Sequence, residues 1–410
     1  MLMKKIALFA LAAVALAACS DNDAPEPGGG AADTTIPPKK IELNAAEAVS
    51  VESANKLAFA TFGQLYKPEE NTLFSPLSAQ MALAMTANGA TGETRAELLD
   101  ALCGEGATLS DLNTLYGKLY ATLPVTDKAT HMTIANSFWH DAQLTPGVEF
   151  CSTLGAEYGA ALRSYDRNNR SEAAEAVNAW VNDATGGLIP RLVSADDVNA
   201  FMIVNALYFK SEWKEKFDPA KSAPGYFTNA DGSKSRPKYM NGTIPGSSAM
   251  VDDVVLAQFP FGNGAYVFDA VLPAQGQSVA EAMDVVAKYS SEAFRGLEGG
   301  DLTVKMPRFT AESTLDLIPV CKALGIERMF SPGAELDGIV DADTYINLLR
   351  QACTIEVNED GAEAVAATAA GGTDLAAAPP DRIILDRAFG YMIRETSTGM
   401  IVFMGAVNRF

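Results

Sequence analysis

Apolar residues recur at helical spacing through the first half of the chain, and two of the helices they predict begin with N-terminal signals. Ser75-Pro76 combines an N-cap with proline at the first helical position, where the missing N–H costs nothing. Thr94 and Glu97 match a capping box ahead of the leucine-rich run at 98–102. The pattern therefore predicts helices with core-facing apolar sides.

Later segments change from helical to strand-like patterns. Val177, Trp180 and Val181 share one face of a predicted helix that ends at Gly186-Gly187. Residues 201–209 and 400–407 are dense in apolar and β-branched side chains, which is typical of strands buried in a large sheet. Because helices concentrate in the N-terminal half and strands in the C-terminal half, the order favours an α+β fold over alternating βαβ units.

A run of small side chains lies about forty residues before the C-terminus. Glu359 and Asp360 precede Gly361, and the run continues to Thr368 before a glycine- and proline-rich stretch at 371–380. Small residues allow a strand to enter between two existing strands, and Gly361 provides a backbone pivot. The later stretch predicts an exposed loop. An alanine-rich surface helix or a low-complexity linker is the alternative interpretation.

Composition and charge limit the classes of function. The chain has 410 residues, of which 48% are hydrophobic, so it can bury a large core. Nothing between residues 45 and 410 resembles a linker, which predicts one domain there. With 51 acidic and 31 basic residues, the net charge of −20 would repel nucleic acid and polyanionic cofactors.

The N-terminus predicts export and anchoring. Lys4-Lys5 precede an apolar stretch at 6–18, which is too short to span a membrane and is typical of a signal peptide at 1–18. Residues 16–19 resemble the lipoprotein cleavage box of bacteria, with Cys19 as the lipid-modified first residue. Residues 19–44 then form a predicted tether. Acidic residues after Cys19 resemble a surface-export signal, which predicts an outer-membrane lipoprotein exposed at the cell surface. An ordinary signal peptide with an incidental cysteine is the alternative.

Motifs for catalysis or metal binding are absent from the sequence. His131 and His140 stand outside any nucleophile motif, and no P-loop or HExxH occurs, so no enzyme activity, metal or cofactor is expected. The remaining cysteines do not fit zinc-site or disulfide-framework spacings, although their redox state stays open; they are Cys103, Cys151, Cys321 and Cys353.

Several ordered motifs resemble those of the serpin family, the serine protease inhibitors that trap proteases by loop insertion. The resemblance covers about residues 45–410. Its motifs are NTLFSPLS at 71–78, GATGET at 89–94, NAWV at 178–181 with TGGLI at 185–189, NALYFKSEW at 205–213, MPRF at 306–309, LGI at 324–326 and FMGAV at 403–407. The implied fold is a set of helices packed on a large central β-sheet, with smaller sheets and an exposed reactive loop at about 359–380.

The resemblance implies a mechanism as well. A protease cleaves the reactive loop, and the freed segment inserts into the main sheet as a new strand while the acyl-enzyme is still intact; serpin loop insertion is a standard example of strand addition. The implied hinge residues are Glu359, Gly361, Ala362, Ala364, Val365, Ala366, Ala367 and Thr368. Alanine replaces the family's usual Thr or Ser at position 362, and it remains small and uncharged.

Other positions match the family's sheet-opening residues. These are Ser75, Ser78, Asn205, Gln351, Trp213 and Arg308. Gln351 replaces the usual histidine, so it keeps hydrogen-bonding capacity without histidine's pH sensitivity. Arg308 and Glu359 match a base and acid that the family commonly pairs at the foot of the hinge.

The reactive bond has two candidate positions. The family's spacing from Glu359 predicts cleavage between Leu375 and Ala376, whereas alignment backward from Phe389 predicts Ala377–Ala378. The loop lacks Lys and Arg, which favours elastase-, chymotrypsin- or subtilisin-like targets, with papain-like cysteine proteases as a further class. We expect a monomer without a heparin site that contacts the membrane only through its lipid. A non-inhibitory serpin that acts as a surface binding protein is the alternative.

Overall fold

A computed structural model describes residues 37–289, 297–360 and 381–410. These residues belong to one compact unit, Ala32–Phe410. Within the described ranges, no helix has the length and apolar character needed to cross a membrane. The signal peptide at 1–18, Cys19 and most of the 19–44 tether lie outside the described residues, so those assignments stay predictions.

Helices precede most of the strands, as the patterns predict. They are α1 (Ala45–Leu65), α2 (Pro76–Gly89), α3 (Gly92–Leu102), α4 (Leu109–Thr122), α5 (Val148–Tyr158), α6 (Arg170–Ala184), α7 (Val279–Tyr289) and α8 (Ile318–Ala323). The Ser75 side chain caps α2 by accepting from the Ser78 N–H, and Pro76 is its first residue. In α6, Val177 and Val181 are fully buried, and the helix stops just before Gly186.

The capping box predicted at Thr94 and Glu97 is wrong. Helix α3 begins earlier, at Gly92, so Thr94 lies inside it. The Thr94 N–H donates to the Glu335 carboxylate at 3.0 Å, and the Thr94 hydroxyl accepts from the Glu335 N–H at 3.1 Å. Glu97 accepts instead from the backbone N–H groups of Glu327 and Arg328. Residues from a distant segment therefore bind Thr94 and Glu97, which would have bonded to each other in a capping box.

The strands form one large mixed sheet and several smaller ones. They are β1 (Thr72–Phe74), β2 (Thr130–Asp141), β3 (Ala161–Tyr165), β4 (Phe201–Ser211), β5 (Ala223–Pro224), β6 (Phe227–Thr228), β7 (Lys234–Ser235), β8 (Lys238–Val251), β9 (Val254–Pro260), β10 (Tyr266–Leu272), β11 (Glu298–Pro307), β12 (Phe309–Asp316), β13 (Arg350–Val357), β14 (Arg382–Ile384), β15 (Phe389–Glu395) and β16 (Ile401–Val407).

Nine strands make the large sheet, in the order β1-β16-β15-β10-β9-β8-β11-β14, with β5 paired to β8. Smaller sheets join β3-β2-β4, β12-β13 and β6-β7. Strands β10, β15 and β16 are buried along their whole length, which accounts for the continuous apolar run at 400–407. Helix α2 is buried on nearly every side and packs on both β4 and β16.

A buried ion pair joins two of these central strands. Asp269 of β10 is fully buried and accepts from Arg394 of β15 through Nε–Oδ2 and Nη2–Oδ1 contacts of 2.9 and 3.3 Å. Gln258 of β9 donates a third hydrogen bond at 3.0 Å. Burial raises the pKa of Asp269, although Arg394 and Gln258 oppose that rise. Arg394 therefore stabilises the charged form of the buried Asp269 carboxylate.

We expect Arg394→Met to lower the free energy of unfolding by about 3–5 kcal/mol, because it leaves a buried carboxylate without its cation. The loss should shrink at low pH, where protonation of Asp269 removes the unpaired charge. Lys56→Met is the control, since Lys56 pairs with Glu52 on the surface at side-chain exposures of 66% and 52% and should change stability by less than about 1 kcal/mol. Similar losses in both variants, measured by denaturant unfolding, would contradict this account.

Candidate functional site

A cleft separates two of the smaller sheets. Strand β4 is the edge of β3-β2-β4, strand β13 is the edge of β12-β13, and no backbone ladder joins β4 to β13 within the described residues. A cavity of about 480 Å³ lies between them, lined by residues 208–211 of β4 and 354–357 of β13. The two facing edges therefore offer backbone donors and acceptors to a strand that enters between them.

Helix α2 bridges one end of this cleft. The Ser75 N–H donates to Gln351 Oε1 at 2.8 Å, and Gln351 Nε2 donates back to the Ser75 carbonyl at 2.9 Å. Gln351 lies on β13 and is buried. The Ser75 hydroxyl donates to the Val402 carbonyl at 2.7 Å, which fixes the start of α2 against β16. The Gln351 side chain thus holds β13 to the backbone at the start of α2.

The next turn of α2 holds the opposite edge. The Ser78 hydroxyl donates to the Asn205 side chain of β4. Asn205 in turn donates to Asn136 of β2, which donates to the Tyr158 carbonyl at 2.7 Å. Asn136 was missed by the sequence analysis. The sequence offered no clear signal, because six other residues of β2 are also polar. The partner becomes evident only from the β2–β4 register, which sets Asn136 opposite Asn205.

Arg350 provides a further link at this end. Its guanidinium contacts Asp197 at 2.8 Å (Nη1–Oδ2) and donates to the Leu192 carbonyl at 3.0 Å. Burial pushes the pKa of Asp197 up, but hydrogen bonds from Arg350 and Ser194 outweigh it and hold the pKa below its ordinary value. The segment leading into β4 is therefore tied to the start of β13. Sequence reasoning did not find this pair, because each residue alone reads as an ordinary surface charge.

Trp213 closes the other end of the cleft. It follows β4 and is 2% exposed, and its indole N–H donates to the Asn358 carbonyl at 2.9 Å, just past β13. The ring stacks on Phe261 with centroids 4.5 Å apart and packs edge-on against Phe217 and Phe268. Since β4 and β13 both end at this contact, the two strands run in the same direction.

Glu359 lies beside this contact with two polar partners. Its side chain is 2% exposed, forms an ion pair with Arg308 and accepts from the Ser222 hydroxyl. Burial raises the pKa of Glu359, but the hydrogen bonds from Arg308 and Ser222 outweigh burial and hold the pKa below its ordinary value. The carboxylate is therefore ionised at neutral pH and fixes the chain where the predicted reactive loop begins.

Several predicted site residues lie outside the described residues. They are Gly361, Ala362, Ala364, Val365, Ala366, Ala367, Thr368, Leu375, Ala376, Ala377, Ala378 and Cys19. The structure does bring together the other predicted positions in two groups. Ser75, Ser78, Asn205 and Gln351 meet at one end of the cleft, and Trp213, Arg308 and Glu359 meet at the other.

The cysteines in the described ranges are free thiols with little tendency to ionise. The four described cysteines, at positions 103, 151, 321 and 353, are free. Burial raises the pKa of both Cys321 and Cys353 to about 12, so neither forms a thiolate at neutral pH. No cluster of three or more His, Cys, Asp or Glu that could hold a metal occurs within the described ranges.

Comparisons with known proteins agree with this geometry. The family model described as "Serpin (serine protease inhibitor)" matches residues 52–410. Iripin-3 of Ixodes ricinus is 31% identical over 353 residues, which cover 83% of this chain and 89% of that protein. The leukocyte elastase inhibitor of Bos taurus is 28% identical over 357 residues, or 84% and 94% of the two chains.

A solved structure gives the same fold. The thermophilic serpin Tengpin in its native state matches with a TM-score of 0.78 at 26% identity, and the match covers 93% of this chain and 99% of that one. The fold predicted from the resemblance is therefore confirmed, with its helices, a large mixed sheet and smaller sheets. The chain belongs to the serpin family of serine protease inhibitors.

Proposed function

We propose that this serpin is an irreversible suicide-substrate inhibitor of serine endopeptidases, with cysteine endopeptidases as a further target class. The observation that carries the proposal is the cleft between β4 and β13, whose facing edges share no ladder in the described residues. A strand inserted there would gain hydrogen bonds on both sides. After cleavage, the freed loop segment would supply that strand and carry the acyl-enzyme with it.

The length of the loop fits the cleft. Glu359 is fixed at the Trp213 end, so insertion would proceed from there toward Ser75. Cleavage after Leu375 frees about fifteen residues, which span about 50 Å when extended. Strand β4 has 11 residues and spans about 36 Å. The freed segment would therefore cover the whole length of the cleft, and cleavage after Ala377 would do so as well.

Loop composition supports insertion and limits the targets. Positions 364–368 carry only Ala, Val and Thr, which resist burial little. The segment 361–380 contains no Lys or Arg, so trypsin-like specificity is disfavoured. Leu375 suits an apolar specificity pocket and the neighbouring alanines suit a shallow one. Elastase-, chymotrypsin- and subtilisin-like enzymes are thus the proposed targets, consistent with the similarity to a leukocyte elastase inhibitor.

A non-inhibitory serpin that acts as a surface binding protein is the second candidate. It would share the fold and the family match. A binding protein does not insert its loop, so its hinge could contain proline or charged residues. In this chain, positions 364–368 contain no proline and no charged residue. The inhibitory function therefore accounts for more of the observations.

We further propose that Cys19 carries a lipid that anchors the protein to the outer membrane with its body exposed at the cell surface. The position of Ile41 supports this arrangement. Its N–H donates to Ser397 at 2.9 Å, past the end of β15, whereas Arg382, which follows the predicted reactive loop in sequence, precedes β15. Strand β15 has 7 residues and spans about 23 Å. With the 19–44 tether held at Ile41, the loop would lie on the side facing away from the membrane.

The soluble domain should form a one-to-one complex with an elastase-like protease that survives boiling in detergent, because the acyl bond is covalent. Ala367→Pro should convert the inhibitor into a substrate, since proline removes a ladder donor. Ala367→Ser is the control and should still trap the protease. Denaturing electrophoresis measures the complex, and mass spectrometry of the released C-terminal peptide locates the cut. Only clean cleavage by a panel of serine and cysteine proteases would refute the inhibitory function.

Cleavage of the loop should raise the melting temperature by about 20 °C or more. About a dozen inserted residues, at about 1 kcal/mol for each hydrogen bond, contribute on the order of 10 kcal/mol. Calorimetry before and after limited proteolysis near Leu375 gives the comparison. The cleaved Ala367→Pro variant is the control and should gain much less. An unchanged melting temperature for the cleaved wild type would contradict loop insertion and favour the non-inhibitory binding protein.

Cys19→Ala should release the full-length protein from the membrane fraction, because the lipid requires that thiol. Substitution of Cys103 by Ala is the control, since it removes a different free thiol and should leave the protein attached. Fractionation followed by immunoblotting measures the distribution. Persistent membrane association of Cys19→Ala would contradict the lipoprotein assignment.

A further inference from the structure

A surface rich in basic residues forms on this acidic protein, although the sequence contains no dense run of Lys and Arg. Its residues come from three separate parts of the chain. The basic surface consists of Lys221, Lys234, Arg236, Lys238, Lys305 and Arg382. All are exposed except Lys305, which is half-buried. The surface stands out because the whole chain has a net charge of −20.

Strand pairing and aromatic contacts bring these residues together. Arg382 of β14 pairs with Thr303 of β11, two positions before Lys305 on the same face of the strand. The Lys305 ammonium lies 4.3 Å from the centre of the Tyr239 ring. The Tyr239 hydroxyl donates to the Tyr226 carbonyl at 2.9 Å. The basic surface is therefore continuous from β14 to the β6–β7 hairpin.

Tyr226 stands at the centre of the hairpin end of this surface. Its side chain is 63% exposed, and it lies close to two cations, with Lys234 Nζ 5.8 Å and Arg236 Cζ 5.3 Å from the ring centre. An exposed tyrosine beside arginine is the composition typical of residues that contribute most to protein–protein binding. The two cations are attracted to the face of the ring, so the three side chains form one exposed group.

Within the described residues, the basic side chains of this surface lack close carboxylate partners, although the exposed Asp231 and Asp381 lie near them in sequence. None of its six basic side chains forms an ion pair with a carboxylate in the part of the chain that the structure describes. The nearby Asp386 pairs with Arg387 at 3.6 Å, and Glu359 pairs with Arg308. The basic surface is therefore available to an external acidic group.

Both ends of the reactive loop are attached to the basic surface. On one side, the N–H of Arg308, the partner of Glu359, donates to the Lys238 carbonyl at 2.8 Å. On the other side, β14 starts at Arg382, two residues after the loop segment 361–380. The chain thus enters and leaves the segment 361–380 beside this surface, so a protease that cleaves the segment would approach the surface. The net charge of −20 would otherwise repel an acidic protease.

We propose that the basic surface is an exosite, a secondary binding site that contacts an acidic patch beside the active site of the target protease. The proposal rests on the inhibitory function proposed above and adds a selection rule to it. Among proteases that accept Leu or Ala at the cleaved bond, those with an acidic surface next to the active site associate fastest. Complementary charge acts mainly on the association rate, so it determines which protease is captured fastest.

Charge reversal tests the exosite. Lys234→Glu combined with Arg236→Glu is compared with Lys128→Glu combined with Arg191→Glu, a control that changes one exposed Lys and one exposed Arg elsewhere and alters the net charge equally. The probes are an acidic and a basic protease of the same apolar specificity. The measured quantity is the second-order rate constant of complex formation from about 50 to about 300 mM salt.

The exosite variant should react with the acidic protease about ten-fold more slowly at low salt, and the difference should fade at high salt. The control should lose much less, and neither variant should slow the basic protease. Equal losses in variant and control would overturn the proposal, because net charge alone would then explain them. A loss seen only when heparin is added would also overturn it, since the surface would then bind a polyanion.

The same experiment separates failure of the exosite from failure of inhibition. If the wild type is cleaved without trapping the protease, the proposed inhibition is wrong, and the rate of loop cleavage then reports on the exosite with the same variants. Binding of an acidic protease with its nucleophilic serine replaced by alanine gives a second measure. Its dissociation constant should rise about ten-fold for the exosite variant. Matching melting temperatures of all variants show that the substitutions leave the fold intact.

Discussion

The constraint on which this structure depends is the gap between β4 and β13. Two half-sheets face each other in the described residues without a shared ladder, and side chains rather than backbone pairs hold them together. Ser75 binds Gln351 on one side, and Ser78, one turn along α2, binds Asn205 on the other. A helix terminus thus does the work that backbone hydrogen bonds would do in a continuous sheet.

This arrangement has an energetic consequence. A ladder along β4 would contribute about 1 kcal/mol for each hydrogen bond, whereas the bridges at the two ends of the cleft supply only a few. In the proposed mechanism, the native fold therefore leaves a more stable arrangement unrealised, with a strand inserted between the half-sheets. The Trp213–Asn358 bond and the Glu359–Arg308 pair lie where such a strand would start, so they define its origin and direction.

Much of the fold followed from local sequence patterns. Ser75-Pro76 starts a helix because a side-chain cap and a fixed φ act within one turn, and the apolar run at 400–407 became a central strand because both faces must be covered. Local patterns failed where a distant group competed. Thr94 was predicted to cap a helix, but Glu335 binds it instead from another part of the chain. The reactive loop and Cys19, named from the sequence, lie outside the described residues and stay predictions.

The sequence by itself thus determined several helices and strands and the family, since these depend on neighbouring residues and on motif order, whereas the small-residue hinge stays a prediction. Only the tertiary structure decided that β4 and β13 stay apart, that Asn136 completes the Asn205 cluster, and that Arg350 meets Asp197. It also gathered Lys234, Lys305 and Arg382 onto one surface through the β11–β14 pairing and the contacts of Tyr239 and Tyr226. Hydrogen bonds and charges act through space, and strand register sets which residues meet, so contacts between remote segments leave no local pattern to read.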